Sequence, residues 1–271
     1  MKNLLTLFIL SIFLTSCRVE QFPNSPKGRE RAKYTFTRSP KPLDDRIVLV
    51  NIGQLNRTEL SILLDSINAY SPRVVGIDVV FQAESKNQRA DSLLEISFSK
   101  IKTLVFARTE TFFTMPRYSR YGAEGHTFLN RNEYSQICES FNPTKDFFNK
   151  EYQSFAIEVA NAFNPESIQN LDLTKEISID YSGNILDYGS TNFGTRFLAF
   201  DKLDIDRGLY PSTLKDKIVI LTYLGDEVGD MAFYKGASFI SPFNETFRQA
   251  HPDMWLGVIH ANIVSMLLDQ K

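Results

Sequence analysis

The stretch RIVLVNIGQLNRTELSILLDSINAYSPRVVGIDVVF, residues 46–81, decides the fold. Its first strand-like run, Ile47-Val48-Leu49-Val50, is apolar without alternation, as expected of a strand buried on both faces. Asn56 with Glu59 three residues later is a helix-start signal: the amide accepts from backbone N–H groups while the acid reaches back to the cap. Leu60, Leu63, Leu64, Ile67 and Tyr70 then recur at helical spacing, and Pro72 closes the helix. Val74 to Phe81 reads as a second buried strand. Strand, helix and strand with short connections form a βαβ unit, normally parallel and right-handed.

The alternation continues. Ala90, Leu94, Phe98 and Ile101 stripe a second helix, followed by the strand KTLVFART at 102–109. Residues 110–150 are rich in aromatic and polar side chains without a clear period, and are expected to form an elaborated connection. Tyr152, Phe155, Ala156, Val159, Ala160 and Phe163 mark a third helix. ISIDYS at 177–182 alternates, which puts Ile177, Ile179 and Tyr181 on one face. DKIVILTYL at 216–224 reads as another central strand, and a last helix from about Val258 to Leu268 is apolar on almost every side. The expected fold is α/β: a three-layer sandwich over residues 46–271, with a mostly parallel central sheet and helices on both faces.

Ahead of that body lies a different kind of sequence. An apolar run from Leu4 to Ser16 follows one basic residue, Lys2. It is too short to cross a bilayer, which takes about 20 apolar residues. A basic start, a brief apolar stretch and small residues at its end read as a secretory signal peptide. Leu14-Thr15-Ser16-Cys17 resembles the lipobox of bacterial lipoproteins. That resemblance implies cleavage after residue 16 and a diacylglycerol on the Cys17 thiol; the alternative is an ordinary signal peptide or an uncleaved anchor that contains a cysteine. Residues 17–45 then form a lipidated, Pro-rich basic tether, which stays extended and solvated. On this reading the chain is extracytoplasmic, on the periplasmic or cell-surface side, and held to the membrane by lipid.

Composition agrees with an exported body. The chain has two cysteines, Cys17 and Cys138, so a lipidated Cys17 leaves Cys138 without a disulfide partner and the core alone must hold the domain. With 43% hydrophobic residues the chain is able to do so. A formal charge of -2 argues against a nucleic-acid partner.

Enzymatic signatures are missing. The three histidines, His126, His251 and His260, stand apart in different contexts and form no metal-ligand cluster in the sequence. The sequence holds no Gly-x-Ser-x-Gly elbow, no phosphate loop and no dinucleotide glycine fingerprint after the first strand. Asp204-Ile-Asp206-Arg-Gly208 lacks the third oxygen ligand and the distal Glu of a calcium loop and reads as a turn. Cys138 has no histidine nearby in sequence to activate it, so a buried spare thiol is expected. Neither a metal, a cofactor nor a catalytic residue is expected.

Four segments in order carry a resemblance. IVLVNI with SPRVVGIDVVF, then ISIDYSGN, then LKDKIVILTYLGDEVGD, then PDMWLGVIHANIVSMLL are similar to a CHASE domain of the second type. It covers about Arg46 to Leu268, and its most specific part is Pro252-Asp253-Met254 followed by Gly257-Val258-Ile259-His260-Ala261-Asn262. The resemblance implies an extracytoplasmic sensory input domain of the kind found beside cyclases, histidine kinases and serine/threonine kinases. Two departures stand out. The family tends to place acids after the first strand, where this chain has Asn51, Gly53 and Gln54. The family also usually continues into membrane helices and an output domain; the two readings are an input domain that stands alone on its lipid, and a piece of a longer sensor that carries such helices and an output domain.

The pattern singles out four candidate ligand-binding residues. Asp78 follows a buried strand and is expected at the carboxyl edge of the sheet, where ligands bind in open α/β folds; the other reading is a turn cap or a structural ion pair. Asp230 lies in the loop after the KIVIL strand, beside Gly225 and Gly229, with the same two readings. His260 at the start of the final helix is expected to be a core histidine bonded to a carboxylate, with Asp78 or Asp230 as partner. Asn262, in the same first turn, suits similar bridging. The leading expectation is a non-enzymatic sensory or ligand-binding input domain that takes a small molecule or an envelope protein. The alternatives are an envelope interaction scaffold without ligand, and a cryptic hydrolase built on Asp78, Asp230 and His260.

Overall fold

The computed structural model describes residues 41–111, 114–131, 137–185, 195–229, 238–239, 241 and 252–270. Strand β1 (Ile47–Asn51), helix α1 (Arg57–Ala69) and β2 (Val74–Ile77) form the expected βαβ unit. The α1 cap works as the sequence suggests: Asn56 Oδ1 accepts from the N–H groups of Thr58 and Glu59, and Glu59 Oε2 accepts from the Asn56 N–H at 2.9 Å. Helix α2 (Gln88–Lys100) and strand β3 (Leu104–Arg108) repeat the pattern.

The region 110–150 contains more than a connection. After the short α3 (Pro116–Ser119), residues Ala123–His126 form β4, a sixth of the central sheet, parallel to β3. Its sequence, AEGH, carries none of the β-branched residues that mark a buried strand. β6 (Cys138–Phe141) pairs with β5 (Leu129–Arg131) on one side and β9 (Ile177–Ser178) on the other in a small antiparallel sheet. β7 (Thr144–Phe147) and β8 (Lys150–Gln153) form a hairpin. Tyr152 therefore belongs to β8, and the third long helix, α4, runs over Phe155–Phe163. β10 (Leu198–Phe200), the short α5 (Lys202–Arg207), β11 (Ile218–Thr222), a two-stranded ribbon of β12 (Ser238–Phe239) and β13 (Met254–Trp255), and α6 (Leu256–Leu268) complete the described chain. The Asp204–Gly208 turn is thus the body of α5, with Asp201 and Asp204 forming its capping box.

The central sheet has the order β10-β1-β11-β2-β3-β4, and every neighbouring pair is parallel. Alternate strand residues feed two hydrophobic clusters. Val48, Val50, Val75, Ile77, Phe106, Val219 and Leu221 join the apolar stripes of α1 and α2. Ile47, Leu49, Val74, Val105, Ile218 and Ile220 join those of α4 and α6. β1, β2, β3 and β11 thus bury both of their faces, which is why their sequences run apolar without alternation.

The body begins ahead of Arg46. Asp44, which the sequence leaves in the tether, is buried and accepts from Arg46 Nη2 at 2.7 Å, Ser265 Oγ at 2.6 Å and Arg196 Nη2 at 3.2 Å. Its tether-like composition hid this, because the partners lie about 150 and 220 residues away.

Candidate functional site

The carboxyl ends of the central strands share a chemical feature. The apolar runs of β1, β11, β2 and β3 stop at Asn51, Thr222, Asp78 and Arg108, and the edge strand β4 ends at His126. These side chains are buried, yet polar. β11 leads towards α6, while its neighbours β1 and β2 lead to α1 and α2 in the other cluster. Chain leaving opposite ways from adjacent strands opens a crevice at the carboxyl edge, the usual ligand position in such folds.

At the β1 end, Asn51 connects three segments. Its Nδ2 donates to Asp201 Oδ1 at 2.8 Å and to the Gly225 carbonyl at 3.0 Å, and its Oδ1 accepts from Gly53 N–H at 3.0 Å and Leu224 N–H at 2.8 Å. A carboxylate at this position has no donors for Asp201 and Gly225, so the amide that departs from the family pattern fits its partners. In front lies an open cleft of about 540 Å³ whose lining includes Gln54, Glu59, Asp201, Lys202 and Asp226.

At the centre, the Asp78 N–H donates to the Leu221 carbonyl at 2.8 Å, and Thr222 Oγ1 donates to Asp78 Oδ2 at 3.1 Å. Asp78 Oδ1 faces His260 Nε2 across 4.0 Å, with both side chains no more than 5% exposed. Burial pushes the Asp78 carboxyl up to about 7 against the opposing effect of the Thr222 hydroxyl. Burial also pushes the His260 imidazole down to about 3, aided by nearby His126. Desolvation drives both groups towards neutrality. At 4.0 Å they do not share a direct hydrogen bond, and neither ring nitrogen of His260 has a partner among the described residues. The ring packs edge-on against Phe155 at 5.3 Å.

The start of α6 is set by Gly257. A Cβ there would lie 2.3 Å from the Thr222 side chain, so only glycine lets the helix reach the sheet edge and carry His260 towards Asp78. Asn262, one turn on, is fully buried and spends its groups on the chain itself. Its Oδ1 accepts from Ser182 N–H, Ser182 Oγ and Gly183 N–H, and its Nδ2 donates to the Gly183 and Val258 carbonyls. It bridges α6 to the segment after β9, away from the Asp78–His260 pair. Asp230 and Cys17 lie outside the described residues.

Two members of the row escaped the sequence reading. Arg108, 3% exposed, lies 3.5 Å from the ring centroid of Tyr152 and 5.2 Å from that of Phe147, and its Nε and Nη1 have no hydrogen-bond partner among the described residues. His126 Nδ1 accepts from the Phe128 N–H at 3.3 Å, which leaves the ring proton on Nε2, where no acceptor is found among the described residues. Burial and the charges of Lys145 and Arg108 push this histidine down to about 4. For Arg108 the signal available in sequence was the polar residue that ends an apolar strand; His126 ends AEGH, which offers no such signal. Cys138 is buried and unpaired, and burial pushes its thiol up to about 12, so it stays protonated near neutral pH. Among the described residues no group of three or more metal-ligating side chains comes together, and no helix is long and apolar enough to cross a membrane.

Comparison with known families gives one match: the model of the CHASE2 domain covers residues 34–271. No curated protein and no solved structure matches the chain.

Proposed function

The chain belongs to the CHASE2 domain family, a family of sensory extracellular domains, and from this we propose that it is a non-enzymatic sensory input domain that binds a small molecule at the carboxyl edge of its sheet. On this reading a lipid on Cys17 holds it outside the cytoplasm. One observation supports the ligand-binding part: where crevices open at the carboxyl edge of a parallel sheet, the buried row from Asn51 to His126 includes ring and guanidinium nitrogens without hydrogen-bond partners among the described residues. Buried polar groups are normally satisfied, so donors of this kind at a sheet edge suit a polar ligand.

The row suits recognition better than bond-breaking. Asp78 sits near its ionisation midpoint and His260 is neutral, but the only hydroxyl bonded to either among the described residues is that of Thr222. That hydroxyl points its hydrogen bond at the carboxylate and has no second base to activate it.

The test is a melting series on the full chain in detergent, with a panel of envelope metabolites. A ligand that binds only the native state must raise the transition. We expect at least one compound to raise it by several degrees, with the shift lost in Asp78→Asn. A melting temperature indifferent to the whole panel, together with a discrete envelope protein captured by crosslinking, would replace this reading with that of a docking scaffold.

A further inference from the structure

We propose that a second pocket, beside the β3–β4 end of the row, takes a small carboxylate with a flat apolar body, of the size of a substituted benzoate. The inference rests on the reading of the chain as a small-molecule sensor and names a chemistry and a place for the ligand.

The pocket holds about 250 Å³, and its walls include Phe128, Leu129, Phe147, Phe239, Leu256 and His126. A dry cavity of about 150 Å³ already admits a benzene ring, so one ring with a polar substituent fits. Apolar walls with few polar groups are the usual make-up of a ligand pocket. Among its polar lining residues is His126, whose Nε2–H lacks an acceptor among the described residues.

The field around the pocket selects the charge of the ligand. A cation lies over each aromatic wall: Lys145 Nζ is 3.1 Å from the Phe128 centroid, the Arg108 guanidinium 5.2 Å from Phe147, and that of Arg131 5.7 Å from Phe239. Among the lining residues the one carboxylate is Glu110, which is exposed. Arg108 is buried with two guanidinium nitrogens lacking hydrogen-bond partners among the described residues, and its charge, which also acts on the Glu124 carboxyl of β4, adds to the positive field at this end of the sheet. Lys145 and Arg108 against the aromatic walls and the N–H donor of His126, set against one solvated acid among the described lining residues, make the pocket an anion acceptor with a hydrophobic lining.

Cys138 lines the same pocket and supplies a reporter, since peptide mass spectrometry distinguishes its labelling from that of Cys17. The experiment uses the full chain in detergent with three fluorinated probes: 4-fluorobenzoate (ring and charge), 4-fluorobenzamide (ring alone) and trifluoroacetate (charge alone). Binding is read by fluorine line broadening, and occupancy by the rate at which a small methanethiosulfonate labels Cys138. We expect 4-fluorobenzoate to bind at least about tenfold more tightly than either control, a difference well within the reach of one charge-assisted hydrogen bond. We expect it to slow Cys138 labelling about fivefold or more at saturation, the occupied fraction being closed to reagent. Glu110→Gln should tighten the benzoate and Lys145→Gln weaken it, both at surface positions where folding is spared, while Leu256→Trp should fill the pocket and abolish binding. Equal binding of the benzamide would overturn the anion assignment. Benzoate binding that leaves Cys138 labelling and the Leu256→Trp variant unaffected would overturn the pocket. If no probe binds while a panel compound still raises the melting temperature through Asp78, the pocket assignment fails and the sensory reading stands.

Discussion

His260 on α6 and Asp78 at the end of β2 face each other across 4.0 Å, both buried, with the carboxyl raised to about 7 and the imidazole lowered to about 3. Their pH signatures are opposite in sign. The folded Asp78 carboxyl holds its proton more tightly than its ordinary value of 3.8, so its contribution to stability is full below about pH 4 and is lost as pH rises through 7. The folded imidazole is depressed from 6.5, so its contribution is present above pH 6.5 and is lost as pH falls. Urea unfolding at a series of pH values separates the two. The stability of Asp78→Asn relative to the wild type should grow from pH 4 to pH 7, by up to about 1.4 kcal/mol per pH unit, and then level off. That of His260→Phe should grow in the other direction, below pH 6.5. A pH-independent difference for Asp78→Asn would mean that the carboxyl is not desolvated as described.

Gly257 carries the close approach of α6 to the sheet edge. A methyl group at this position has to displace the Thr222 side chain or lift the helix start, and overpacking of this kind typically costs about 1–3 kcal/mol. Gly257→Ala should lower the melting temperature and move the His260 ring resonances. An unchanged melting temperature and spectrum would show that the helix does not sit as close as 2.3 Å implies.

Asp44 closes the opposite end of α6 onto the chain before β1. Burial alone would raise its carboxyl, but the hydrogen bonds from Arg46 and Ser265 more than offset this and hold it below the usual carboxylate range. Arg196 extends the network, donating to Ser182 Oγ at 3.1 Å and Ser265 Oγ at 2.9 Å, and Ser182 in turn donates to Asn262. Asp44→Ala leaves the Arg196 guanidinium buried without its counter-charge, and breaking such a pair costs about 3–5 kcal/mol. The wild type should lose this contribution as pH falls through the folded-state pKa of Asp44, and the variant should not. Equal denaturant midpoints for the two proteins would remove the network from the account.

How much of this was legible in the sequence depends on where each element's partners lie. β1, β2, β3 and β11 announce themselves because strands buried on both faces must be apolar throughout, and α1 because its cap and stripe are local. β4 and β10 are short, and the sheet that accepts them is assembled from distant segments. The AEGH of β4 becomes a strand because β3 offers it a parallel partner and α4 covers it: a Cβ on Gly125 would lie 2.5 Å from the Phe155 Cα. The same reason hid Arg108 and His126, whose significance lies in being neighbours across the β3–β4 pair. Asp78 and His260 were readable singly, as a strand-end acid and a helix-start histidine, but their separation is a tertiary fact.

Attachment to the membrane rests on one sulfur. If Cys17 is cleaved and acylated as its Leu14-Thr15-Ser16-Cys17 setting suggests, Cys17→Ser should shift the chain from the membrane pellet to the soluble fraction and remove the lipid mass from the mature N-terminus. Unchanged retention and an unchanged mass would assign the anchoring to something else.

The central claim, that the carboxyl edge of the parallel sheet is the sensing surface, is most directly tested by amide hydrogen exchange on the full chain with and without a compound that raises its melting temperature. The account predicts that added protection gathers at the strand ends and the loops after them, residues 51–56, 78–85, 108–111, 126–129 and 222–229. Protection confined to the amino ends of the same strands, around residues 44–47, 72–74 and 215–218, would contradict it.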